Sequence, residues 1–160
     1  MKILPVFIEI SWKGELLFMT KKITLFDRAK ADLQSARLIL SQISHDELFI
    51  DIAAYHVQQG IEKLVKFALA INGIKHKQTH DMDILNEQLE DAGIKTFPWL
   101  SENIDTLNAY ATRTRYGSDI VATTRKITQL LTIAEGLLPL LRPISVEDES
   151  VKPESFSNPS

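Results

Sequence analysis

One segment gathers the side chains best suited to hydrogen-bond and proton-transfer chemistry: Tyr55-His56-Val57-Gln58-Gln59-Gly60-Ile61-Glu62-Lys63-Leu64-Val65-Lys66. On a helix, Tyr55, Gln59, Glu62 and Lys66 recur at spacings of four, three and four and share one face. His56, Gly60 and Lys63 form the adjacent stripe, and Gln58 lies further round. Imidazole and carboxamide groups both donate and accept hydrogen bonds, so this face is equipped to recognise a polar ligand. The same groups would equally serve as a surface packed against a neighbouring helix or a second subunit.

A second cluster is Lys75-His76-Lys77-Gln78-Thr79-His80-Asp81. It precedes a helical stretch, and the free amides and positive dipole end of that helix would suit a phosphate. His76 and His80 stand four apart but in a loop, without the acidic pattern of a metalloprotease, so no metal is expected. The third cluster is Tyr110-Ala111-Thr112-Arg113-Thr114-Arg115-Tyr116-Gly117. Guanidinium groups match phosphate in a bidentate way, and Tyr116 can stack on a base. Cations at a helix C-terminus also complement the dipole with no ligand involved. The expectation drawn from the three clusters is that guanidinium, imidazole and phenol groups converge in one cationic pocket. No glycine-rich phosphate loop or serine elbow occurs, and carboxylates such as Glu47 and Asp51 fall at a helix start, where acids favour the dipole.

These groups need a scaffold, and the apolar periodicity supplies one. Phe26, Ala29, Leu33, Ala36, Leu40 and Ile43 trace one stripe after Thr24, a candidate N-cap. A second helix spans about 47–72, with Ile50, Ala54, Val57, Ile61, Leu64, Val65 and Ala68 inward and Gly73 as its stop. A third covers about 81–92 and ends at Gly93, and a fourth opens near Thr96-Phe97-Pro98 with Leu100, Ile104, Leu107 and Ala111 inward. A fifth runs from about Asp119 to Leu141, stopped by Arg142-Pro143. Together they predict an all-α, antiparallel up-and-down bundle of about five helices over residues 23–143.

Composition narrows the classes. The 160 residues are 44% hydrophobic and 24% charged, enough for one globular domain that buries roughly two-thirds of its unfolded surface. No apolar run reaches the roughly 18 residues of a membrane-spanning helix. Cysteine is absent, which excludes disulfides, thiolate nucleophiles and thiolate zinc sites; a reducing, cytoplasmic setting is the simpler expectation. The net charge is −3. Residues 145–160 carry Glu147, Asp148, Glu149 and Glu154 against Lys152 alone, so the rest of the chain is formally neutral. Residues 144–160 therefore read as a disordered acidic tail, and residues 1–22 as an N-terminal extension with a weak hairpin signal around Lys13-Gly14.

Three motifs in order carry a resemblance: Tyr55-His56-Val57-Gln58-Gln59 with Glu62-Lys63, then Thr79-His80-Asp81, then Thr114-Arg115-Tyr116-Gly117. Over about residues 24–142 the chain resembles the HEPN family (higher eukaryotes and prokaryotes nucleotide-binding). The resemblance implies a bundle similar to the helical C-terminal domain of kanamycin nucleotidyltransferase. It also implies a homodimer, and a toxin–antitoxin-like module whose partner is a minimal nucleotidyltransferase. On this basis Arg113 and Arg115 contact the phosphate of a nucleotide or RNA. Tyr116 stacks or accepts a nucleotidyl group, and His56, Gln59, Lys63 and His80 line the same groove. Ribonucleases of the family carry an arginine and a histidine with four to six residues between them. Here no arginine has a histidine at that spacing; Arg37 and His45 have seven residues between them and lie on the wrong helix. The expectation is a binding or accessory domain without metal or cofactor. The alternatives are a divergent metal-independent ribonuclease toxin and a purely structural dimeric module.

Overall fold

Thr24 opens the helical part of the chain. Its hydroxyl accepts from the Asp27 backbone N–H at 3.2 Å, and the Asp27 carboxylate accepts from the Thr24 N–H at 2.9 Å. This reciprocal cap satisfies donors that the first turn leaves free. α1 (Leu25–Gln42) follows. Asp46 caps α2 (Glu47–Ile71) by accepting from Leu48 N–H, and Asp81 caps α3 (Met82–Asp91) through Asp83 N–H, each at 2.9 Å. Both helices stop at glycines in the left-handed region, Gly73 at φ 75° and Gly93 at φ 68°. The next residue then donates back into the helix, Ile74 to Leu69 O and Ile94 to Leu89 O.

The computed structural model describes residues 8–10, 16–18, 23–42, 45–116 and 120–141; side chains are described in 23–42, 45–112 and 120–141. Before the bundle, β1 (Ile8–Ile10) and β2 (Leu16–Phe18) pair antiparallel, with Glu9 opposite Leu17. The Lys13-Gly14 turn, Ile43, the Gly117-Ser118 break, the Arg142-Pro143 stop and the acidic tail lie outside the described residues.

Two helix starts differ from the sequence reading. α4 (Ile104–Tyr116) begins after Thr96-Phe97-Pro98, not at it. Leu100 N–H bonds to Phe97 O and Asn103 N–H to Leu100 O, and residues 101–103 form a short 3₁₀ turn. These tighter turns bury both Phe97 and Leu100 before the helix sets off. α5 (Thr124–Leu141) starts later than Asp119, because Thr123 is the cap. Its hydroxyl accepts from Lys126 N–H and its carbonyl from Ile127 N–H.

α2 is the central helix and packs against α1, α3, α4 and α5. α1 and α2 run antiparallel: Phe26 meets Phe67 with ring centroids 5.4 Å apart, while Asp32, further along α1, meets the earlier Lys63 and His56 of α2. Arg37 and Glu135 tie α1 to α5. Leu33, Val57, Ile61, Leu64, Leu69, Leu85, Leu107, Ile127 and Leu130 are buried in one continuous core. At roughly 1.5–3 kcal/mol for each large aliphatic side chain buried, this core dominates the favourable side of stability.

Candidate functional site

The polar residues of α2 meet α1 at a crossing that passes Gly60. Gly60 faces Leu33 and the backbone of Ala29, and a methyl group at Gly60 would lie 2.6 Å from Leu33 Cδ2. The absence of a side chain there lets the two helices approach. A short carboxylate on α1, Asp32, can then reach across to α2 on both sides of Gly60. Asp32 Oδ1 lies 3.0 Å from His56 Nδ1, and Lys63 Nζ donates to Asp32 Oδ2 at 2.7 Å. An ionised carboxylate only accepts, so His56 Nδ1 carries the hydrogen in this contact.

From Lys63 the contacts continue along α2. Its ammonium also donates to Gln59 Oε1 at 3.0 Å. Gln59 Nε2 donates to Gln58 Oε1 at 2.7 Å, and Gln58 Nε2 donates to Glu62 Oε2 at 2.9 Å. Glu62 then accepts from Lys66 Nζ at 2.8 Å and from His80 Nδ1 at 3.0 Å. The result is one polar seam from His56 to His80, joining α1, α2 and the residues that lead into α3. Gln58 and Glu62 are buried within it, whereas the His80 side chain is 76% exposed.

The seam is charge-balanced. Lys63 is matched by Asp32 and Lys66 by Glu62, so both ammonium groups of the seam already face a carboxylate, a pairing that the sequence does not suggest. Burial pushes the Asp32 carboxyl up, but hydrogen bonds from His56 and Lys63 outweigh it and hold the group below its ordinary value. At Glu62 burial again acts upward, and donors from Lys66, Gln58 and His80 together hold the carboxyl below the usual range.

Among the expected site residues, His56, Gln59, Lys63 and His80 are thus joined in one network. Arg113, Arg115 and Tyr116 lie in the last turns of α4, and their side chains are outside the described residues. The start of α3 is not an open anion site. Met82 N–H donates to Asn108 Oδ1 and Asp83 N–H to Asp81 Oδ1, both at 2.9 Å, so those amides are already engaged. Lys77 N–H likewise bonds to Gln88 Oε1. Among the described residues no group of histidines and carboxylates gathers as a metal ion would need.

Asp32 was not visible as a site residue. On α1 alone it is one acid beside an apolar stripe, which ordinarily means solvent. The signal lay in combination: Ala29 and Ala36 flank it, and Gly60 sits between His56 and Lys63 on the partner helix. Small residues on both helices imply close approach, and close approach brings a short acid into range. Glu62, read on the shared face, and Gln58, read as lying further round, prove to be the buried links of the network.

This five-helix bundle with a polar seam along its central helix agrees with the comparison to protein families. The model of the HEPN domain matches residues 24–144, and the chain belongs to that family. No curated protein and no solved structure matches it. Among the described residues no helix is long and apolar enough to cross a membrane.

Proposed function

We propose that this HEPN domain is a non-catalytic module that binds a nucleotide or an RNA phosphate. In this reading it serves, as a cytoplasmic homodimer, as the accessory partner of a minimal nucleotidyltransferase in a toxin–antitoxin-like pair. Arg113 and Arg115 supply the phosphate contacts, for which the guanidinium fork is better shaped than an ammonium. Tyr116 stacks on the base or receives a nucleotidyl group from the partner. In that transfer its oxygen bonds to the α-phosphorus of a nucleoside triphosphate, pyrophosphate leaves and the phenol proton is lost. His56, Gln59, Lys63 and His80 line the same groove.

The observation that supports this reading best is the seam itself. A buried ion pair such as Glu62–Lys66 is a poor stability device, because desolvation cancels most of its attraction. A fully bonded network is, in contrast, a good way to hold imidazole and carboxamide groups in fixed orientation for a polar ligand. Thermal unfolding with added ATP or GTP tests the proposal. At a nucleotide concentration near 100 Kd the folded chain gains roughly 2.7 kcal/mol, and Arg115→Ala removes the gain. An unchanged melting temperature for wild type and variant alike would overturn it.

One contact favours a second reading. The Asp32–His56 pair holds an imidazole by Nδ1 and leaves Nε2 outside that bond, the orientation a metal-independent ribonuclease needs to present an imidazole to a ribose hydroxyl. RNA fragmentation that His56→Ala and Arg115→Ala both abolish would select this reading. RNA left intact by the wild-type chain would reject it.

A further inference from the structure

The hydrogen bonds along α2 have a direction. Lys63 donates to Gln59, Gln59 donates to Gln58, and Gln58 donates to Glu62. Both carboxamides therefore point their oxygens toward the ammonium and their N–H groups toward the carboxylate. Reversing them would set an amide N–H against Lys63 and an amide oxygen against Glu62, which is unfavourable at each end. The observed orientation is enforced from both sides only while both charges are in place.

We infer that Gln59 and Gln58 form a polarised relay that couples the α1–α2 contact at Asp32 and Lys63 to the junction between α2 and α3. The junction end is held through Glu62. His80 bonds to both Glu62 oxygens, and Asp81, the next residue, caps α3 and accepts from Asn108 of α4. The charged and titratable groups in contact along this path are Asp32 of α1, His56, Lys63, Glu62 and Lys66 of α2, and His80 and Asp81 ahead of α3. Drawing the Lys63 ammonium away frees the Gln59 oxygen, and with it the orientation of Gln58. Glu62 then loses a donor it has only from that amide, and the balance of its bonds to Lys66 and His80 changes. An event at Lys63 is in this way felt at His80, although the two side chains do not touch. The coupling is a property of the folded chain and holds whether or not a nucleotide is the ligand.

Amide hydrogen exchange on the full chain tests it without any ligand. The amides of Lys77, Asp81, Met82 and Asp83 report the junction, and those of Leu130 and Leu131 report the core. Lys63→Met is expected to speed exchange at the junction by about threefold or more, the low end of what neighbours in one hydrogen-bond network show. The core amides should speed up less than those of the junction. In a Gln58→Met background, where the relay is already cut, the same substitution should add nothing at the junction. Gln59→Met, which leaves the Lys63–Asp32 pair in place, should reproduce the Lys63→Met effect and serves in its stead if that variant does not fold. Unchanged junction amides overturn the inference. So does equal acceleration of junction and core, or an undiminished Lys63→Met effect when Gln58 is replaced.

Discussion

The two ends of the seam use the same three groups, a carboxylate, a lysine and an imidazole, in opposite settings. At the Asp32 end the acid comes from α1 while Lys63 and His56 come from α2, and the Asp32 and Lys63 side chains keep 18% and 20% of their surface in water. At the Glu62 end acid and lysine are one turn apart on α2, and the Glu62 side chain is only 3% exposed. The first is therefore a contact between helices that depends on how closely they approach. The second is a contact within one helix that depends on burial. Identical chemistry should respond differently when each support is removed.

The largest difference is expected from deleting the acids. Glu62→Ala leaves Lys66 buried without a counter-charge and should cost about 3–5 kcal/mol in chemical denaturation. Asp32→Ala exposes Lys63 and His56 to water that already reaches them, and should cost about 1 kcal/mol or less. Equal losses would show that burial does not distinguish the two ends. Gly60→Ala comes next. A methyl group 2.6 Å from Leu33 Cδ2 and 2.8 Å from Leu33 Cγ must displace the buried Leu33 side chain at the α1–α2 crossing, at a cost of about 1–3 kcal/mol. The repacking there should weaken the Asp32 bonds and spare those of Glu62. Imidazole nuclear magnetic resonance of His56 and His80 would read the two ends separately.

Acid gives a smaller and graded test. Both carboxyls are held below their ordinary values in the folded chain. Their stabilising contribution is thus complete above the ordinary carboxylate range and is lost as pH falls through the lower folded values. Stability should hold from neutral pH down to that range and decline beneath it, and Glu62→Gln should flatten the decline. The smallest effect is expected at Gly136, in the middle of α5, where an added methyl group meets nothing within 4 Å. Gly136→Ala should raise stability by about 0.5–1 kcal/mol, a control for the loss at Gly60.

The same contrast explains what could be read from residues alone. The Glu62 end follows from spacing within one helix, so the shared face of Tyr55, Gln59, Glu62 and Lys66 was legible, as were the helices themselves and the glycine stops at 73 and 93. The Asp32 end depends on the register between two helices, which periodicity on either one does not contain. Charge balance was hidden for the same reason: Lys63 and His56 look available until the acid opposite them is known. The late starts of α4 and α5 depended on turn hydrogen bonds at Phe97, Leu100 and Thr123, groups that carry no apolar period.

In the function proposed above, the seam and the end of α4 serve one ligand. A nuclear magnetic resonance titration of the full chain with ATP, following the His56 and His80 imidazoles together with the Arg115 guanidinium, addresses it most directly. All three signals should move along one saturation curve with a single Kd. Signals of Arg115 that shift while both imidazoles stay still would contradict it, as would a spectrum that ATP leaves unchanged.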